Sequence, residues 1–287
     1  MNNRALLAKM KSIRQTIQIS NAQKLIAASH ISKARRLLKE AEPYHERIRQ
    51  AIAEVLTKCP EASSRYLDVG ESTFNKRGVL VISANRGLAG GYNSNLSKFI
   101  MQNIGPGDTS RLLVLGKVGQ GHLAHAGYDV DTSFEHPVDP PSLFAARELA
   151  EHVMRYFERG VIDCFDVAYT HYYSAARLKP TIMRLFPLKP AVFGEAPKRG
   201  DAVFAPSPDA VLEMLIPKYL KGFLYGCLVH AWSSELASRV AAMDNAIRNG
   251  NEMLENLSLL YNRTRQAMIT QEITEIVAGV SSMAKEE

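Results

Sequence analysis

At 287 residues, with 46% hydrophobic and 22% charged side chains, the chain holds enough apolar material for one large or two modest globular domains. Its formal charge of +6 favours an acidic partner without naming the partner's class. No apolar run approaches the roughly 18 residues of a membrane span. Cys59, Cys164 and Cys227 lack metal-ligand spacing and read as free thiols in a reducing compartment.

The first predicted element is a long helix. Stepping by fours and threes from Leu6 gives Met10, Ile13, Ile17, Ser20, Lys24, Ala27, Ile31, Ala34, Leu38, Ala41, His45, Ile48, Ile52 and Val55. All but Ser20, Lys24 and His45 are apolar. A repeat of about 3.5 residues keeps one seam of a helix against a partner helix. Pro43 lies inside the pattern and is expected to kink or loosen it. No acidic residue precedes Glu40, whereas Arg4, Lys9, Lys11, Arg14, Lys24, Lys33, Arg35, Arg36 and Lys39 are basic. An acid-free basic start is also the pattern of an organelle transit peptide, but the seam continues past any cleavage point.

The middle of the chain alternates. Val79–Ala84 reads as a strand, Ser94–Ile104 as a helix and Arg111–Leu115 as a second strand. Residues near Gly119–Ala126 are helical in pattern, and "YDVDTSF" (128–134) reads as a short third strand. Ser142–Arg159 is an amphipathic helix opened by Pro140-Pro141, and "FDVAYTHYYSAARLKPTIMRLFPL" reads as strand, turn and strand. Strands alternating with helices imply a mostly parallel α/β sheet. Residues 195–209 form a polar, proline-bearing link.

The C-terminal stretch repeats the helical seam. From Leu236 the same stepping gives Val240, Met243, Ile247, Gly250, Leu254, Leu257, Tyr261, Thr264 and Met268. A single helix from about Lys218 to Met283 is on the order of 100 Å long at ~1.5 Å per residue. Asn249-Gly250-Asn251 is a turn-like tripeptide that offers a break instead. Two such helices, one at each terminus, most simply pair with each other and leave the middle as the globular part.

Candidate chemistry is sparse. The stretch "VLVISANRGLAGGYNSNLSKF" runs from an apolar strand through a glycine-rich turn into a helix, as phosphate-binding loops do. Yet no G-x-x-x-x-G-K-[ST] occurs, the turn lacks G-x-G-x-x-G order, and no lysine directly follows it to meet a phosphate. "GKVGQG" at Gly116–Gly121 is a weaker match still. Glycines permitting tight strand-to-helix turns explain both. His122 and His125 share a helical face but lack a third ligand, and Asp163 and Asp166 read as solvated turn carboxylates. Nothing combines a nucleophile, a base and an orienting acid, so neither catalytic residues nor a cofactor or metal site are expected.

Longer matches are more specific. "LLYNRTRQAMITQEITEIVAG" (Leu259–Gly279), preceded by "MDNAIRNGNEMLENL" (Met243–Leu257), resembles the most recognisable stretch of the gamma subunits of F-type ATP synthases. "NRGLAGGYN" (Asn85–Asn93) is similar to that family's glycine-rich turn, and "SIRQT", "KLIAAS" and "SKAR" fall in the expected order. The resemblance covers essentially the whole chain. It implies an antiparallel coiled coil of the terminal helices (1–57 and 208–285) around a central Rossmann-like α/β domain (75–195). The implied role is that of a non-catalytic rotor stalk, coupling ion-driven ring rotation to ATP synthesis or hydrolysis. The implied partners are a hexamer of alpha and beta subunits, the epsilon subunit and the proteolipid ring. No nucleic acid is involved, and membrane association at the cytoplasmic face is peripheral and indirect. Arg265, Gln266 and Thr270 match positions that contact beta-subunit catch loops. Arg86, Gly87, Gly90 and Gly91 shape a turn at the rotor foot, while Glu272 and Glu275 lie in the same signature as the catch residues.

Gln18, Asn21 and Gln23 stand where the family shows a lysine-rich stretch, Asn85 where it shows aspartate and Val280 where it shows alanine, as a diverged paralogue would. Two readings of other classes stay open. One is a Rossmann-type nucleotide-binding enzyme with helical arms, which requires micromolar nucleotide binding at Gly87–Gly91. The other is a basic coiled-coil adaptor for nucleic acid, which requires steeply salt-dependent binding although aromatics for base stacking are scarce in the basic helix.

Overall fold

The computed structural model describes residues 3–67, 74–107, 111–131, 139–196 and 203–283, with the side chains of 41 and 279–283 left aside. The chain forms two compact units, one of Met1–Ile26 with Val240–Glu287 and one of Ala27–Arg239. Helix α1 (Asn3–Lys58) and helix α5 (Pro208–Met283) each contribute to both.

In the larger unit, β1 (Arg77–Ile82) leads to α2 (Tyr92–Asn103), β2 (Arg111–Leu115), α3 (Lys117–His125) and β3 (Val130–Asp131). Then follow α4 (Leu143–Glu158), β4 (Cys164–Ser174) and β5 (Arg177–Phe186). The strands form one sheet in the order β3-β2-β1-β4-β5. β1 pairs in parallel with β2 and β4, and β5 runs antiparallel at the edge. Pro180 is tolerated in β5 because an edge strand has one side without ladder donors. Residues 132–134 of the expected third strand and 197–202 of the polar link lie outside the described residues.

The sheet is apolar on both faces, as a parallel sheet between helices must be. Val79 and Val81 of β1 and Leu112 and Val114 of β2 pack with Leu96 and Ile100 of α2 and Leu123 of α3. Their strand neighbours Leu80, Ile82, Leu113 and Leu115 point the other way, by the two-residue period of a strand. They join Leu149 and Val153 of α4, Ile52 and Val55 of α1, and Leu220, Leu224 and Leu228 of α5. Gly78 lets β1 pass Phe165, because a Cβ there would sit 2.4 Å from the ring. Helix α4 starts at Ser142, whose Oγ accepts the Ala145 N–H at 3.1 Å. Helix α1 ends before Pro60, with Cys59 N–H donating to the Val55 carbonyl.

The smaller unit is a pair of helical segments. Leu6, Met10 and Leu257 are buried together, with Ile13, Leu254 and Tyr261 packed around them. Ser20 is buried too, whereas the off-seam Leu7, Ile19, Leu25 and Ile26 are 48–67% exposed. Lys24, a polar seam position, reaches Asp244 Oδ1 at 2.5 Å. No break occurs at Gly250. A Cβ there would lie 2.7 Å from Cγ1 of Ile17, so glycine lets the two backbones approach. Both long helices also run through their internal prolines, Pro43 and Pro217, without interruption.

Candidate functional site

Asn3 near the start of α1 contacts Met268 of α5, its Nδ2 donating to the sulfur at 3.1 Å. Past that level the seam side of α5 turns polar, with Gln271 donating to Glu275 Oε1 at 3.0 Å. The apolar residues move to another side. Ile269, Ile273, Ile276 and Val277 are 43–66% exposed. At about 100° per residue they fall within one arc of roughly 140° together with Arg265, Gln266 and Thr270. That arc is rotated by about 130° from the Leu254, Leu257, Tyr261 and Thr264 seam. Thr270 donates its hydroxyl back to the Gln266 carbonyl at 2.9 Å, while Arg265 and Gln266 are exposed. An apolar stripe carrying a guanidinium and an amide is suited to docking against other chains. Lys9, Lys11 and Arg14 of α1 are exposed as well.

The second candidate is the turn Asn85–Asn93. In doubly wound sheets, ligands bind where the strand order reverses, beyond the carboxyl ends of the strands. Here that position lies between β1 and β4, and α5 fills it. Ser234, fully buried, donates to the Thr170 carbonyl of β4 at 2.9 Å, and Ser238 donates to the Ala89 carbonyl of the turn at 2.7 Å. Arg239 reaches the Gly87 carbonyl at 3.4 Å while pairing with Glu235 at 2.6 Å. Burial pushes the Glu235 carboxyl above its ordinary range, with Arg239 opposing the shift.

The turn therefore presents carbonyl acceptors to α5, whereas an anion cradle presents N–H donors. Asn93 closes it by accepting the Ala84 N–H at 3.0 Å, and Ala84, Ala89 and Tyr92 form a small core. Gly90 takes a left-handed φ of 55°, as does the exposed Leu88 at 62°. Gly91 precedes the first residue of α2, and Arg86 and Gly87 are exposed. Gly116 and Gly119 of the second glycine motif fit against Ser83. Added Cβ atoms would lie 2.4 Å from its carbonyl oxygen and 2.2 Å from its hydroxyl.

Two smaller expectations change. Asp166 is not a solvated turn carboxylate; it is 2% exposed and held between Arg77, at 2.7 Å, and Arg184. Asp163 accepts the backbone N–H groups of Asn75 and Lys76. These partners lie far away in the sequence, so no local pattern announces them. His122 meets Ser97 at 3.4 Å, and the described residues contain no group of three or more His, Cys, Asp or Glu able to hold a metal.

The chain matches a family model described as ATP synthase over residues 2–283. It is 40% identical to the ATP synthase gamma chain of Ruminiclostridium cellulolyticum, over 98% of this chain and 99% of that one. It is 39% identical to the gamma chain of Acetivibrio thermocellus, with 96% and 97% covered. Among solved structures it is similar to a chain of the Euglena gracilis mitochondrial ATP synthase OSCP/F1/c-ring. That match has a TM-score of 0.66 at 16% identity, covering 98% of this chain and 94% of that one. A chain of the Tetrahymena thermophila mitochondrial ATP synthase central stalk/c-ring matches with a TM-score of 0.60 at 20% identity, covering 79% and 99%.

Proposed function

Because the chain belongs to the gamma-chain family of ATP synthases, we propose that it acts as the central rotor stalk of an F-type enzyme. It is a non-catalytic subunit: ATP is made or hydrolysed on its neighbours. The working partners in this reading are the alpha/beta hexamer around the far end of α5, and the epsilon subunit and proteolipid ring at the α/β unit. No helix among the described residues is long and apolar enough to cross a membrane. In this reading the chain sits peripherally at the cytoplasmic face, attached through the complex.

The observation that carries this reading is the exposed arc of α5. Ile269, Ile273, Ile276 and Val277 form an apolar face beyond the level of Asn3, beside Arg265, Gln266 and Thr270. As the stalk turns, one side of α5 offers each beta subunit in succession an apolar surface with directed donors. The other side offers Gln271 and Glu275. A contact changes a neighbour's conformational equilibrium only by its differential free energy for the two states. This unlikeness of faces supplies such a difference. The basic start of α1 adds a salt-screened attraction to acidic loops, which serves orientation more than strength. The Asn85–Asn93 turn has a structural part, joining the sheet to α5.

The test is ATP hydrolysis by a reconstituted alpha–beta–gamma complex carrying Arg265→Ala and Gln266→Ala together. Hydrogen bonds to a charged group are worth about 1.5–3 kcal/mol, so turnover falls on the order of tenfold or more. Helical circular dichroism of the isolated chain stays the same, because both side chains are exposed. Unchanged turnover refutes the assigned contacts.

A further inference from the structure

A groove of about 690 Å³ opens between α1, the β4–β5 hairpin and α5, and histidines from three of these elements line it. His171 of β4 and His230 of α5 stack across it with ring centroids 3.9 Å apart and planes inclined by 24°. His45 of α1 stacks on Tyr219 at 4.6 Å. The Nδ1 atoms of His45 and His230 are buried without a hydrogen-bond partner among the described residues. The buried Nδ1 of His230 has nothing to donate to, which favours the neutral ring with its proton on Nε2.

We propose that the stacked His171–His230 pair is an acid-released latch joining β4 to α5. A proton on His230 turns Nδ1 into a buried donor with nothing to receive it. Two imidazolium rings at 3.9 Å repel each other as well. The surroundings do not compensate. From α1 come His45, the exposed Glu42, and Glu46, whose carboxylate is held by Arg49 at 2.6 Å. From β4 come Tyr169, which shares a 3.3 Å hydrogen bond with His171 Nδ1, and Tyr172 and Tyr173. β5 brings Thr181 and, opposite His171 in register, the cation Lys179. α5 brings Cys227, whose thiol burial pushes up and keeps neutral. A protonated His230 therefore leaves the stack for water, and the α5 segment around it loosens from β4.

The sign follows from linkage. Burial lowers the His230 pKa to about 4 and also lowers those of His171 and His45. Between the ordinary imidazole value of about 6.5 and pH 4 the released state binds more protons than the latched one. The latch therefore holds at neutral pH and weakens steadily across that window as pH falls. It is independent of the rotor assignment.

Trp232, the chain's single tryptophan, reports on it. It is 2% exposed and meets His30 edge-on at 5.7 Å. An imidazolium beside an indole quenches its emission, so the titration is made on the full chain carrying His30→Gln. On acidification the Trp232 emission shifts to the red, reversibly, before helical circular dichroism is lost. His171→Phe and His230→Phe keep a stacked ring and move the transition down by about one pH unit or more. A transition with the same midpoint in the Phe variants, or one that coincides with loss of helicity, overturns the latch. If the variants fail to fold, histidine nitrogen NMR of the His30→Gln chain decides. His230 titrating well below 6.5, together with the emission shift, supports the latch; His230 titrating near 6.5 without any emission change overturns it.

Discussion

Gly250 is the position where helix propensity and helix packing pull in opposite directions, and their difference is measurable. In an exposed helix interior, replacing glycine by alanine stabilises by about 1 kcal/mol. At Gly250 the added methyl carbon would lie 2.7 Å from Ile17 Cγ1 and 3.0 Å from its Cδ1. Ile17 is β-branched and stiff in a helix, so relief requires an off-rotamer side chain or a shift of one helix, at about 1–3 kcal/mol. Gly250→Ala alone is thus neutral to destabilising by about 2 kcal/mol. In an Ile17→Ala background the clash is gone, and the same change stabilises by about 1 kcal/mol. The coupling energy of the double-mutant cycle is therefore at least about 1 kcal/mol. The assay is native-state hydrogen exchange of backbone amides in residues 243–261, which reads opening of this helical pair separately from the larger unit. Equal stabilisation by Gly250→Ala in both backgrounds would refute the close approach. Equal destabilisation in both would point to a turn at Asn249-Gly250-Asn251.

Two further outcomes concern the larger unit. Asp166→Ala removes a carboxylate that is 3% exposed and bridges two arginines. Because Arg77 and Arg184 keep 29% and 38% exposure, the expected loss is about 2 kcal/mol in urea denaturation, below that of a fully buried pair. A loss under about 0.5 kcal/mol would show the bridge to be worth no more than a surface pair. Ser142→Ala removes the cap of α4 and costs about 1 kcal/mol in the same assay, whereas Ser142→Asp retains the acceptor and most of the stability.

The terminal helices were legible because a 3.5-residue apolar repeat is itself a record of burial. Leu6, Met10, Ser20, Ala27, Ala34, Ile48, Ile52 and Val55 are all buried, on the predicted seam. The strand order was not legible, although alternation correctly implied a mostly parallel sheet. What escaped has one physical cause: the partners are distant in sequence. Asp166 meets arginines at 77 and 184, Lys24 meets Asp244, and His171 meets His230. A stepping rule sees only neighbours on one element. Gly250 was ambiguous for another reason, since the same residue type serves a turn and a tight helix crossing. The exposed arc of α5 had a signal in hindsight: the seam positions become Gln271 and Glu275 while the isoleucines shift sideways.

The filled crevice explains why a sheet of nucleotide-binding type, with a glycine-rich turn after its first strand, fits a structural role. Admitting a nucleotide there means lifting the 232–239 segment of α5 from β4 and the turn. That exposes Trp232 and Leu236, now 2% and 5% exposed, and breaks the hydrogen bonds of Ser234 and Ser238. At about 1.5–3 kcal/mol per large apolar side chain and about 1 kcal/mol per hydrogen bond, displacement costs on the order of 6 kcal/mol. Micromolar affinity amounts to about 8 kcal/mol, so a ligand making otherwise ideal contacts keeps about 2 kcal/mol, weaker than millimolar binding. The same contacts fasten α5 to the sheet. A rotor requires its long helix to be fixed to the part that is driven, and the place where related architectures hold a ligand is where this chain makes that attachment.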